Sequence, residues 1–112
     1  MARNYVQPGE TLTLTAPRTL ASGDGFVVGA LFAVALAAAA TDKPVEGRRV
    51  DVFDLTKAAG AAWTAGQKVY WDNTAFNVTA TAGGNALIGA AVQAAASAAV
   101  VGRVLLTGQI AA

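Results

Sequence analysis

Three places in this 112-residue chain gather residue types that could do chemistry. The segment Gly60-Ala61-Ala62-Trp63-Thr64-Ala65-Gly66-Gln67-Lys68 has the outline of a phosphate-binding loop, whose backbone N–H groups would cradle phosphate under a lysine. That loop needs four residues between its glycines and Lys-Ser/Thr directly after the second, whereas here five intervene and Gln67 precedes the lysine. Nucleotide hydrolysis is excluded on that spacing. Asp51 and Asp54 could form a carboxylate pair for acid–base work, but at odd spacing in a strand they point to opposite faces. They read instead as solvated charges or as ion-pair partners of Arg48 and Arg49. Asp72-Asn73-Thr74 offers oxygen ligands for calcium but too few carboxylates, so a turn is the simpler reading. The chain has no histidine and no cysteine, which removes the usual near-neutral general base, the thiol nucleophile and the commonest zinc ligands. No catalytic residue, metal or cofactor is expected, and enzymatic activity is not expected.

Composition bounds the rest. The length suits a single β domain over 1–112, with a core large enough to need no staples and an extended arm expected over residues 1–9. A net charge of +1, with Arg48-Arg49 the only adjacent basic pair and acids on both sides, gives no nucleic-acid patch. Charged residues are 13% of the chain and apolar ones 54%, so more apolar surface is present than a monomer's core needs, although much of it is alanine. An oligomer or partner interface follows. The apolar run from Phe26 to Ala40 is interrupted by Gly29 and is shorter than a bilayer requires, and the residues after Arg3 do not read as a signal peptide. No membrane partner is expected.

The elements that would position these residues are strands. Thr11-Leu12-Thr13-Leu14-Thr15 alternates strictly, with Pro8-Gly9 before it, Pro17 after it and Ser22-Gly23-Asp24-Gly25 as the next turn. A further strand begins at Phe26. Val50–Leu55, Gln67–Trp71, Phe76–Thr79 and Arg103–Thr107 carry the β-branched and aromatic residues of a pleated surface, with a hairpin turn at Asp72-Asn73-Thr74. Ala35–Ala40 and Ala94–Ala99 have high helix propensity but no capping box and no apolar stripe, and each reads as a strand leaving a turn. One helical turn is expected near Lys57–Ala62. The fold expectation is all-β, about eight short strands in a compact sandwich or partly closed barrel.

A weak internal repeat supports two similar sheets facing one another. Leu31-Phe32, Val34-Ala35, an alanine stretch and Gly47-Arg48-Arg49-Val50 have a counterpart in Leu87-Ile88, Ala90-Ala91-Val92, an alanine stretch and Gly102-Arg103-Val104. Ser22-Gly23-Asp24 and Ala65-Gly66-Gln67 precede the two copies, and the second carries the Asp72-to-Gly84 hairpin as an insertion.

Several short motifs, in order, resemble a known family. They are Tyr5-Val6-Gln7, Leu12-Thr13-Leu14-Thr15, Leu31–Ala35, Val52-Phe53-Asp54-Leu55-Thr56-Lys57-Ala58-Ala59-Gly60, Ala65–Asp72 and Leu87–Val92. From about residue 2 to residue 108 the chain is similar to the small capsid cement, or decoration, proteins of tailed bacteriophages. Thr56 stands where proline is expected in many relatives, leaving the bend after Leu55 less rigid. The resemblance implies a virion structural protein, made in the host cytoplasm, on the outer surface of the expanded head. It further implies bridging of adjacent major capsid protein subunits, a homodimer or homotrimer at symmetry axes, and a jelly-roll-like sandwich.

Candidate contact residues are Arg3, Asn4, Tyr5, Arg48, Arg49, Trp63, Tyr70 and Trp71. Tyr70 and Trp71 are adjacent, so in a strand one faces the core and the other does not; the outer ring is either an interface anchor beside Lys68 or a cover for a neighbouring loop. Asn4-Tyr5-Val6 either adds as a strand to a neighbouring chain's sheet or frays. The alternative function is a virion-surface β module that binds host glycans through Trp63 or Trp71.

Overall fold

The computed structural model describes Asn4 and residues 7–108, and among these there are nine strands and no helix. The first half contains β1 (Thr11–Thr15), β2 (Gly25–Val28), β3 (Leu31–Ala35) and β4 (Pro44–Arg48); the second contains β5 (Val50–Thr56), β6 (Lys68–Asp72), β7 (Asn77–Thr79), β8 (Ala86–Ala91) and β9 (Val101–Thr107). They form two antiparallel sheets ordered β1-β4-β3-β2 and β5-β9-β8-β6-β7. Apart from β7, the two orders are the same, and the expected pair of similar sheets is present.

The repeat extends to individual hydrogen bonds. Leu20 and Ala39 exchange backbone bonds of 2.8 and 3.0 Å, and Trp63 and Ala95 exchange bonds of 2.9 and 3.1 Å. Gly23 N–H donates to Ala35 O as Gly66 N–H donates to Ala91 O. Even a turn-capping side chain recurs, since Ala21 N–H donates to Asp24 Oδ2 at 2.9 Å and Thr64 N–H to Gln67 Oε1 at 3.0 Å. The halves differ at β7, which pairs with β6 and reaches back to β5's end through Ala58 N–H to Val78 O at 2.8 Å. The matching position in the first half is Pro17, which has no N–H to donate.

Two apolar clusters hold these sheets. Ala16, Leu20, Phe26, Ala33, Ala35 and Val45 fill the first half. The larger cluster spans both sheets: Phe32 and Val34 of β3 pack with Leu55, Trp63, Trp71, Val104 and Leu106. Matching positions in the two halves exchange volume. Leu20 and Val45 of the first half correspond to Trp63 and Gly102 of the second, where a Cβ on Gly102 would lie 2.2 Å from the Trp63 ring. Phe26 and Gly47 likewise correspond to Val69 and Val104. Each half is close-packed by a different division of the same space.

One element departs from expectation. The helical turn expected at Lys57–Ala62 is a tight turn at Ala59-Gly60, with Gly60 at φ 104°. Lys57 N–H donates to Val100 O and Gly60 N–H to Ser97 O, so neighbouring chain takes the backbone bonds that a helix would have kept local. The Lys57 side chain is 2% exposed; its ammonium donates to Ala58 O at 3.0 Å and Ala99 O at 3.4 Å, and lies 5.6 Å from the Trp63 ring centroid.

Candidate contact surface

The residues expected to make contacts divide sharply by position. Trp63 and Trp71 are each 2% exposed, so neither presents a ring to a partner; this corrects their assignment as contact residues. The cause is long-range. Trp63 is pinned by its backbone bridge to Ala95, and Trp71 points inward from β6 against Phe32, ring centroids 5.1 Å apart. Tyr70, its neighbour, lies on the opposite side of β6, half-buried and paired across the sheet with Leu87 and Thr79. The adjacency rule placed one ring inside and one outside. Asn4 is an exposed turn residue, while Arg3 and Tyr5 lie outside the described residues.

Arg48 and Arg49 sit at the joint between the halves and are occupied there. Arg48 pairs with Asp51, Nη2 to Oδ2 at 2.6 Å, and donates to Thr11 Oγ1 at 3.1 Å. Asp51 adopts φ 86° within β5. Arg49 donates through Nη1 to Gly9 O at 2.9 Å and through Nη2 to Gly108 O at 2.5 Å. It therefore ties both ends of the described chain to the crossover. Replacing Arg49 by methionine keeps the stem and removes both bonds, with an expected loss of about 2–3 kcal/mol, because charge-assisted bonds exceed neutral ones. Urea unfolding measures this, and amide exchange near Gly9 and Gly108 should accelerate first.

Asp54, expected as a partner for Arg48 or Arg49, belongs instead to Arg103. Their side chains pair across β5 and β9, Nε to Oδ1 at 2.9 Å and Nη2 to Oδ2 at 3.1 Å. The Arg103 hydrogen bond holds the Asp54 carboxyl below its ordinary value, and Asp54 raises Arg103 in return. A depressed carboxylate contributes stability above its unfolded pKa and loses it as pH falls through the folded one. Asp54→Asn should therefore be slightly less stable than wild type at neutral pH and converge with it as pH falls below about 4, where the wild-type carboxylate gains its proton. Both groups are exposed, so the difference is small; thermal midpoints measured against pH test it.

The surface that the sequence did not single out is the outer face of β5 and β9. Val52 and Leu105 are directly opposite each other and 48% and 41% exposed, and Val101, opposite Thr56, is 55% exposed. Val92 and Val100 add to its rim, at 43% and 63%. The ion pair Asp54–Arg103 lies between the apolar rows. A shallow groove of about 350 Å³ adjoins it, lined by Gln93, Ala94, Ala99 and Val101 among others. The signal was present as adjacent apolar pairs, Val52-Phe53 and Leu105-Leu106, which in a strand cannot both face inward. Knowing that Val52 meets Leu105 needed the register.

A second exposed ring lies across the halves. Phe76 in the β6–β7 turn is 42% exposed at φ 57°, and the Arg18 guanidinium lies 4.0 Å from its centroid. Arg18 also donates to Gly25 O at 2.8 Å, so it joins the first half's loop to the second half's hairpin. Asp72 Oδ1 accepts from Thr74 and Ala75 N–H at 2.9 and 3.2 Å, so its carboxylate serves the turn.

Among the described residues the Thr13 hydroxyl donates to the Glu46 carboxylate on the exposed face of β1 and β4; the other exposed features are an apolar strand face, an ion pair and a stacked ring. No curated protein and no solved structure matches the chain significantly. The family model for phage cement proteins matches residues 6–106, most of the chain. With an all-β fold of two packed sheets beneath that match, the chain belongs to the phage cement protein family, whose members are structural proteins of the capsid.

Proposed function

We propose that this protein is a cement subunit that binds the outer surface of the expanded phage head and bridges adjacent major capsid protein subunits. In this reading it acts as a homodimer or homotrimer on symmetry axes, with no reaction and no cofactor of its own. The observation that carries the reading is the family match over residues 6–106. The apolar strand face supports it, because a contact protein needs apolar surface that its own core does not use. The arm bearing Arg3 and Tyr5 supplies a second contact, by strand addition to a neighbour's sheet edge.

Stabilisation then follows from mass action. A subunit that binds the expanded lattice, and not the immature one or separated subunits, lowers the free energy of the expanded state alone. Several modest contacts on one oligomer reinforce one another through effective concentration. Trp63 and Trp71 lie in the core, so the glycan-binding alternative has lost the rings it relied on.

The test is the thermal disruption of expanded heads that lack the protein, followed by release of packaged DNA. Added protein should raise the disruption temperature in a saturable way. An unchanged temperature at saturating protein overturns the reading.

A further inference from the structure

The duplicated fold supplies an internal comparison for one surface. Each outward position on β5 and β9 has a counterpart on β1 and β4, in the same register. The pair Val52–Leu105 matches Thr11–Arg48, Asp54–Arg103 matches Thr13–Glu46, and Thr56–Val101 matches Thr15–Pro44. Outside the strands, Val100 matches Lys43: Lys57 N–H donates to Val100 O where Ala16 N–H donates to Lys43 O. Strand propensity and local geometry are shared, so they do not account for valine and leucine on one copy where the other carries threonine, arginine, proline and lysine; the rim residue Val92 matches the exposed Leu36 and adds nothing to the contrast. The first half's face has the composition of a solvated sheet, and the second half's has that of a covered one.

We propose that the outer face of β5 and β9 is a two-fold self-association surface, covered by a second copy of this chain. Charge selects that occupant. The face carries one acid and one base side by side on neighbouring strands, so it has no net charge with which to choose a partner of either sign. It is complementary to itself. A two-fold axis parallel to the strands sets Val52 over the partner's Leu105 and Asp54 over the partner's Arg103. An axis across the strands would set like charges together, so the orientation is fixed as well. Bringing two such faces together turns two exposed ion pairs into one four-charge network inside an apolar frame.

Size sets the strength. Seven residues along each strand and three strands across, β5, β9 and β8, give a face of about 23 by 14 Å, well short of the roughly 800 Å² per partner of a standard stable interface. Self-association is therefore weak in free solution and becomes effective where copies are held close, as on a shell. Its use, and only its use, rests on the cement reading above.

Sedimentation equilibrium of the full chain, from roughly 1 µM to roughly 1 mM, decides the matter without any phage head. The weight-average mass should rise from the monomer value toward twice that value. V52T/L105T, with one substitution copied from Thr11, should remain monomeric over the whole range while keeping the wild-type circular dichroism and thermal midpoint. Asp54→Arg should weaken association at least tenfold or so, and D54R/R103D should restore it, because the exchange preserves opposite charges across the axis. A wild type that stays monomeric, a limiting mass of three chains, or association indifferent to both V52T/L105T and the charge exchange overturns the proposal. If heads are stabilised but the free chain never dimerises, this inference fails and the cement reading stands; the reverse result separates them the other way.

Discussion

Combining Trp63→Leu with Gly102→Val is expected to restore much of the stability that each substitution removes alone. The pair reproduces what the first half already uses, Leu20 beside Val45, both buried at 2% and 4% exposure. Trp63→Leu by itself leaves a void over Gly102 and should cost about 2–4 kcal/mol. Gly102→Val by itself drives a side chain into the Trp63 ring, where even a Cβ would come within 2.2 Å, and should cost about 3 kcal/mol. Together they refill the same space, so the coupling energy should reach about 2–3 kcal/mol in favour of the double variant. The buried Trp63 indole N–H has no hydrogen-bond partner to lose, but leucine also removes the ring beside the buried Lys57 ammonium, so the double variant should stay somewhat below wild type. Urea midpoints at constant m-value measure all four corners. Strict additivity would mean that the halves do not share one packing plan.

Trp71→Ala should be the most damaging single truncation at the seam between the sheets. The indole joins the core cluster that also contains Phe32 and Val34 of the first half, and its N–H donates to Asn73 Oδ1 at 3.1 Å. Gly25 closes the seam from β2, where a Cβ would meet both the Phe32 and Trp71 rings at 2.9 Å. The expected cost is about 3–5 kcal/mol, a large part of the 5–15 kcal/mol that holds a domain of this size. Loss of amide protection in β2 and β3 as well as in β6 would show that the ring fastens the two sheets, and not β6 alone. A loss under about 1 kcal/mol, or one confined to β6, contradicts that role.

The strands were legible because their signal is local. Leu12 and Leu14 alternate with threonine, Gly23 and Gly66 mark turns, and the alanine runs lack caps, so the all-β class and the two-sheet plan follow from short windows of sequence. The contact residues were not legible, for a physical reason. Whether Trp63 is inside depends on a bridge to Ala95, and whether Arg49 is free depends on carbonyls at Gly9 and Gly108, at the far ends of the chain. An aromatic or a basic pair looks like an anchor until such partners are placed. The β5–β9 face shows the converse. Its valines and leucine are ordinary strand residues, and only the comparison with Thr11 and Arg48 in the other half sets them apart.

A cement subunit of this kind must recognise the expanded lattice as such. The direct measurement is co-sedimentation of the purified chain with expanded heads lacking it, titrated to saturation beside unexpanded procapsids and separated major capsid subunits. Saturable binding to expanded heads at a fixed number of copies is expected, with little or none on the other two. Equal binding to all three, or none to any matched head, would contradict it.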